Sequence, residues 1–214
     1  MAMRLFNRSR EEEQNLVLGS LAQLGIGGRD AAEQFYDAGL NLAAEGRYPE
    51  ALEQFRRAVQ NNFGWAEAHY NMGLTYAYMN SPENAIKCYK QAIRINPAYV
   101  EAYNNLGLTY CNSGQHVEAL SACLRAIRLK PDFVEAHNNL AITYYNIGSY
   151  PEAIKACRKA LHLEPDNINA HYYLGLIHID LRDKEAALEI QQQLQHLSPE
   201  TSVDLLDTIH RQFQ

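Results

Sequence analysis

The sequence predicts an all-α protein, an array of stacked helix pairs. One observation is a period: Gly39, Gly73, Gly107, Ala141 and Gly175 follow one another at intervals of 34 residues, with no insertion. A second is that other positions keep the same period. Ala51, Ala85, Ala119, Ala153 and Ala187 recur, as do Ala58, Ala92, Ala126 and Ala160, with Leu194 in the last slot. A third is the punctuation. Pro97, Pro131, Pro165 and Pro199 fall near the end of each period, where proline cannot continue a helix. The first period departs, with Phe63 in the proline slot and Gly64 after it.

Each period divides into two amphipathic helices, A and B. The small residues let the two backbones approach closely, and Leu42, Tyr76, Tyr110 and Tyr144 fill the space beside them. Gly46, Gly114 and Gly148 can break the chain between A and B. One pair cannot bury its apolar face alone, so neighbours must stack.

Taken in order, residues 1–31 form an N-terminal segment with a helix expected over 10–24 and a glycine-rich hinge over Gly25–Arg29. Five repeats follow at 32–65, 66–99, 100–133, 134–167 and 168–201. Residues 202–214 carry Val203, Leu206, Ile209 and Phe213 at helical spacing with polar residues between, which predicts a capping helix with that face toward the fifth repeat.

Composition narrows the function classes. Hydrophobic residues at 47% and charged residues at 21% are globular proportions. A net charge of −6 gives no overall attraction to nucleic acid. No apolar run is long enough to span a membrane, and Glu11, Glu12 and Glu13 precede the apolar stretch Leu16–Leu24, where a secretory signal would be positive. The expected compartment is the cytoplasm. Cys88, Cys111, Cys123 and Cys157 form no paired-cysteine motif, so packing is their expected role, and neither a metal nor a cofactor is expected. His69, His137 and His171 share one register, which points to packing rather than catalysis. With no metalloprotease, phosphate-loop or nucleophile-elbow motif, no enzymatic activity is expected.

The pattern resembles the tetratricopeptide repeat family. The likeness rests on the period, on NNLGLTY and AYNNLG, and on SYPEAIKACRKALHLEPD, and it covers residues 32–201. It implies a right-handed superhelix of helix pairs, a solenoid with helix A of each repeat lining the concave face. With helix-A positions 4, 7, 8 and 11 packed, positions 2, 5, 6, 9, 12 and 13 point the opposite way at about 100° per residue.

That second stripe holds Asn71, Asn105 and Asn139 in one register, with Asn104, Asn138, Asn112 and Asn146 around them and Tyr70, Tyr78, Tyr145 and Tyr172 interleaved. Its carboxylates are Glu33, Asp37, Glu67, Glu101, Glu135 and Asp180, and it has no lysine or arginine. A carboxamide can meet both the C=O and the N–H of a peptide backbone. Three in register resemble the asparagine ladder with which O-GlcNAc-transferase-type repeat domains hold peptides. A single asparagine there would ordinarily just solvate the helix, and the glutamates also suit helix N-termini. The missing cations argue against the carboxylate clamp of chaperone co-factors and favour a neutral or basic peptide. Helix B carries the opposite charge in Arg56, Arg57, Lys87, Lys90, Arg94, Arg125, Arg128, Lys155, Arg158 and Lys159, a solvated outer face or a patch for an acidic partner.

The expected function is therefore a scaffold or adaptor that binds a segment of a partner protein. Two rivals stand beside it. One is a self-assembling homo-oligomer in which residues 1–31 of one copy occupy the groove of the next; the chain is similar in size to stand-alone five-repeat proteins of bacterial magnetosome membranes. The other is a substrate-recognition subunit for a separate enzyme such as a glycosyltransferase.

Overall fold

The computed structural model describes residues 29–62 and 64–213. The expected N-terminal helix over 10–24 lies outside them. The described residues fall into two compact units, one up to Ser81 and one from Pro82 onward. Among them every regular element is helical.

The first unit contains α1 (Arg29–Ala44), α2 (Tyr48–Asn61) and α3 (Ala66–Tyr78). Helix α1 begins at Arg29, inside the stretch expected to hinge, and Ala31 and Ala32 are already buried. Its packing with α2 depends on Gly39. A β-carbon there would lie 2.6 Å from the Phe55 ring, which is itself fully buried. The period-setting glycine thus makes room for the largest core residue of the pair.

The second unit contains α4 (Pro82–Ile95), α5 (Val100–Asn112), α6 (His116–Leu129), α7 (Val134–Asn146), α8 (Tyr150–Leu163), α9 (Ile168–Asp180), α10 (Lys184–Leu197) and α11 (Pro199–Gln212). Here Gly107 faces the Cys123 sulfur, which a β-carbon would approach to 2.6 Å. Cys123 and Cys157 are fully buried, and burial pushes both thiols up to about 12. They fill space and are not nucleophiles at neutral pH.

The turn from helix A to helix B needs a left-handed residue. Gly46, Gly114 and Gly148 supply it with φ of 74°, 73° and 74°, and Asn80 and Arg182 occupy the same position with φ of 53° and 63°. Asparagine tolerates this region; arginine is strained in it. Arg182 also donates from its guanidinium to the carbonyl of Gln212 at 2.7 Å, tying the α9–α10 turn to the end of α11.

Helix α11 closes the array on a face shifted from the expected one: Ile209 is buried and Leu206 and Phe213 are half-buried as expected, but Val203 is not part of it. Ser202, Leu205 and Ile209 are buried, while Val203 is 56% exposed. Leu205 is the reason. Its methyls lie over Gly175, 2.5 Å from where a β-carbon would be, so the helix is rotated to place residue 205 in that notch. The Ser202 hydroxyl donates to the carbonyl of Gln191 at 3.1 Å and accepts from the Gln191 amide at 2.8 Å. The helix starts at Pro199, with Ser198 accepting from the Thr201 N–H, earlier than the expected 202.

Candidate functional site

The helix-A stripe is best followed one unit at a time. In the first unit, Asn71 Nδ2 donates to Tyr36 Oη at 2.8 Å and to the carbonyl of Glu67 at 3.0 Å. Tyr36 rests on Trp65, with ring centroids 4.5 Å apart, and on Phe55 at 5.8 Å. Burial, and after it the nearby charge of Glu67, raises the Tyr36 phenol above its ordinary value. Beside this group lies a hollow of about 360 Å³, lined by residues that include Ala43, Tyr48, Phe55, Asn71, Leu74 and Tyr78. At its mouth Tyr48 and Tyr78 stack with centroids 5.5 Å apart and planes within 5°, and Tyr78 remains 71% exposed. Tyr70 is half-buried and Glu67 exposed.

The second unit repeats the asparagine bond with different partners. Asn139 Nδ2 donates to Asn104 Oδ1 at 2.8 Å, and Asn138 Nδ2 to Asn167 Oδ1 at 2.9 Å. Asn104, Asn138 and Asn139 are only 7%, 7% and 8% exposed. Of the expected ladder Asn71, Asn105 and Asn139, this corrects the last: Asn139, with its neighbours Asn104 and Asn138, is engaged inside the array and is not open along a groove. The stripe was drawn for an isolated helix, whereas positions 5 and 6 face the helix A of adjoining repeats. For the same reason Cys111 and Ile179 are buried. Asn105 is half-buried, and Asn112 and Asn146 are exposed, with Asn146 Nδ2 3.3 Å from the Cys111 sulfur. The Asn138 Oδ1 has no partner among the described residues.

Glu67, Glu101 and Glu135 all lie exposed in the first turns of their helices, where the helix dipole favours a carboxylate. Asp180 differs. It is the last residue of α9, at the negative end of the dipole. Its carboxylate accepts from Tyr150 Oη at 3.1 Å. Burial, followed by the nearby charge of Asp180, pushes the Tyr145 phenol up to about 12. Tyr145 lies 6.1 Å from the Tyr150 ring and meets Tyr173 edge-on at 5.7 Å, and Tyr173 meets Tyr172 edge-on at 5.9 Å. Four tyrosine rings in series thus end at one carboxylate. Tyr150 opens a helix B, so a search confined to the helix-A stripe misses it.

Nε2 of His137 and of His171 lies 2.9 Å from the carbonyls of Pro131 and Pro165, fixing the loop before each of those two helices A. Burial lowers the pKa of His69. Among the described residues no group of histidine, cysteine and carboxylate side chains could hold a metal. None of the described helices is long and apolar enough to cross a membrane. On the helix-B side of the second unit, Arg125 lies over the Tyr103 ring at 5.9 Å and Lys90 over Tyr110 at 5.6 Å, beside a hollow of about 310 Å³.

Models of the tetratricopeptide repeat match residues 66–99 and 134–167, a second such model matches 88–121, and one described as TPR repeat matches 107–148. Together with the helix pairs, these settle the family. The chain is a tetratricopeptide repeat protein. No curated protein matches it by sequence. Several solved structures share the fold. MamA 41-end from Desulfovibrio magneticus RS-1 superposes with a TM-score of 0.73 at 21% identity, over 79% of this chain and 96% of that one. YrrB, described as a TPR protein with an unusual peptide-binding site, gives 0.69 at 18% identity over 89% and 97%. TTC0263, a thermophilic TPR protein from Thermus thermophilus, gives 0.66 at 23% identity over 86% and 99%. Repeats of this class are those of protein-interaction scaffolds.

Proposed function

We propose that this repeat protein binds a neutral or basic peptide segment of a partner protein on its helix-A faces. The observation that carries the proposal is chemical: both units present partly exposed tyrosines beside carboxylates, and the helix-A stripe has no lysine or arginine. Rigid tyrosines give contact area at low entropic cost and commonly dominate interface energy. In the first unit the contacts would come from Tyr70, Tyr78 and Glu67, and from whatever capacity Asn71 retains. In the second they would come from Tyr145, Tyr172, Asn105, Asn112, Asn146, Glu101 and Glu135. The buried Asn104, Asn138 and Asn139 would shape the surface from beneath. The likeness to YrrB, whose description names a peptide-binding site, agrees with a peptide ligand. Self-assembly through residues 1–31 draws mostly on residues outside the described ones, which begin at Arg29.

The test is affinity capture from native lysate with the wild type and with a Tyr78→Ala/Tyr145→Ala/Tyr172→Ala variant that keeps its helical circular dichroism. A partner retained by the first and lost by the second is the expected result. Equal retention by both would move the binding surface off the helix-A faces.

A further inference from the structure

Among the second unit's carboxylates on the helix-A stripe, Asp180 alone lacks a structural reason for its charge. Glu101 and Glu135 sit in first turns, where the dipole stabilises them; Asp180 ends its helix, where the dipole opposes it. No lysine, arginine or histidine among the described residues forms an ion pair with it. The cations nearest in sequence are held elsewhere. Arg182 donates to the carbonyl of Gln212, and Lys184 lies over the Phe213 ring at 5.8 Å. His178 faces Asp183 at 3.4 Å.

The surroundings of Asp180 are nonetheless built. Tyr150 donates to it at 3.1 Å, and the Tyr145 ring, from the neighbouring helix A, lies 6.1 Å from the Tyr150 ring. The Tyr150 hydroxyl fixes the carboxylate and leaves its ring, with that of Tyr145, beside it. A phenol that donates to a carboxylate becomes more electron-rich, which improves its face for a cation. The equivalent place in the first unit has rings but no charge: there Tyr48 stacks on Tyr78 instead of donating to an aspartate.

Resting on the peptide-binding reading above, we infer that Tyr145, Tyr150 and Asp180 form an anchor for one cationic side chain, arginine or lysine, of the bound segment. The carboxylate supplies the charge, the tyrosine faces supply cation–π contact, and the ring series through Tyr173 to Tyr172 receives the residues alongside. This assigns a register to the ligand: its basic residue lies at the α9 C-terminal end of the helix-A face.

The experiment uses the full chain and three capped heptapeptides, Ac-Gly-Ser-Ala-X-Ala-Ser-Gly-NH2, with arginine, norleucine or glutamate at X. Binding is read at low salt from ring-proton shifts of the tyrosines. The expected result is that the arginine peptide binds tightest, and that Asp180→Asn, which keeps the shape and the helix, weakens it about fivefold while leaving the norleucine peptide unchanged. Tyr150→Phe should weaken the arginine peptide less. If arginine and norleucine peptides bind equally, or if the arginine preference survives Asp180→Asn, the anchor is overturned while the peptide-binding face stands. If no peptide shifts any helix-A tyrosine, both fall.

Discussion

One inter-repeat hydrogen bond is built twice in this chain, and the two versions differ in what surrounds them. In the first unit Asn71 donates to a tyrosine hydroxyl in a half-open setting beside a hollow. In the second unit Asn139 donates to another asparagine, and both partners are buried. The backbone register is the same: Tyr36 and Asn104 occupy one position of the repeat, Asn71 and Asn139 the next. The repeat period fixes where the bond forms, and the two acceptors go with different burial of it.

The largest effect should come from breaking the buried version on one side. Asn139→Ala leaves the Asn104 oxygen without its donor and should destabilise the α5–α7 contact by about 1–3 kcal/mol. A repeat array opens non-uniformly, so hydrogen exchange in these helices is the measurement. Replacing both partners, as Asn104→Leu/Asn139→Leu, should recover most of that loss, because no polar group is left unpaired. If the double change is as damaging as the single one, shape and not hydrogen bonding holds this contact.

A smaller effect is expected in the first unit. Water can reach the half-open site, so Asn71→Ala should cost only about 0.5–1.5 kcal/mol, read from exchange in α1 and α3. An effect equal to that of Asn139→Ala would remove the distinction between the units.

The smallest effect is in titration. Tyr145 is held protonated up to about 12, above the value of about 10 expected in the unfolded chain. Its contribution to stability is complete below the unfolded value and is lost as pH rises through the folded one. Phenolate absorbance should show a late-titrating tyrosine that Tyr145→Phe removes and Asp180→Asn shifts downward. The tyrosines of the first unit should be unaffected by either change.

Much of the fold could be read directly because a 34-residue period constrains every repeat alike. The positions of Gly39, Gly107 and Gly175 marked close approaches, and each does face a buried side chain, Phe55, Cys123 and Leu205, at 2.5–2.6 Å from where a β-carbon would lie. The left-handed turn was visible where it is glycine and hidden where Asn80 and Arg182 adopt it, since no residue type demands that conformation there. The site was less legible. A helical wheel describes one helix against one neighbour, and positions 5, 6 and 12 of helix A meet the helices of adjoining repeats. Asn104, Asn138 and Asn139 therefore looked available and are buried, while Tyr150, on a different helix, belongs to the same cluster as Tyr145.

The sequence by itself determined the helix pairs, their spacing and the sign of charge on the helix-A stripe, because local periodicity and composition act on every copy of the repeat. Tertiary structure alone decided which amides are engaged and which tyrosine donates to a carboxylate. It also decided how α11 turns to place Leu205 over Gly175. Those outcomes depend on side chains far apart in the chain meeting at hydrogen-bond distance, as Tyr150 and Asp180 do at 3.1 Å.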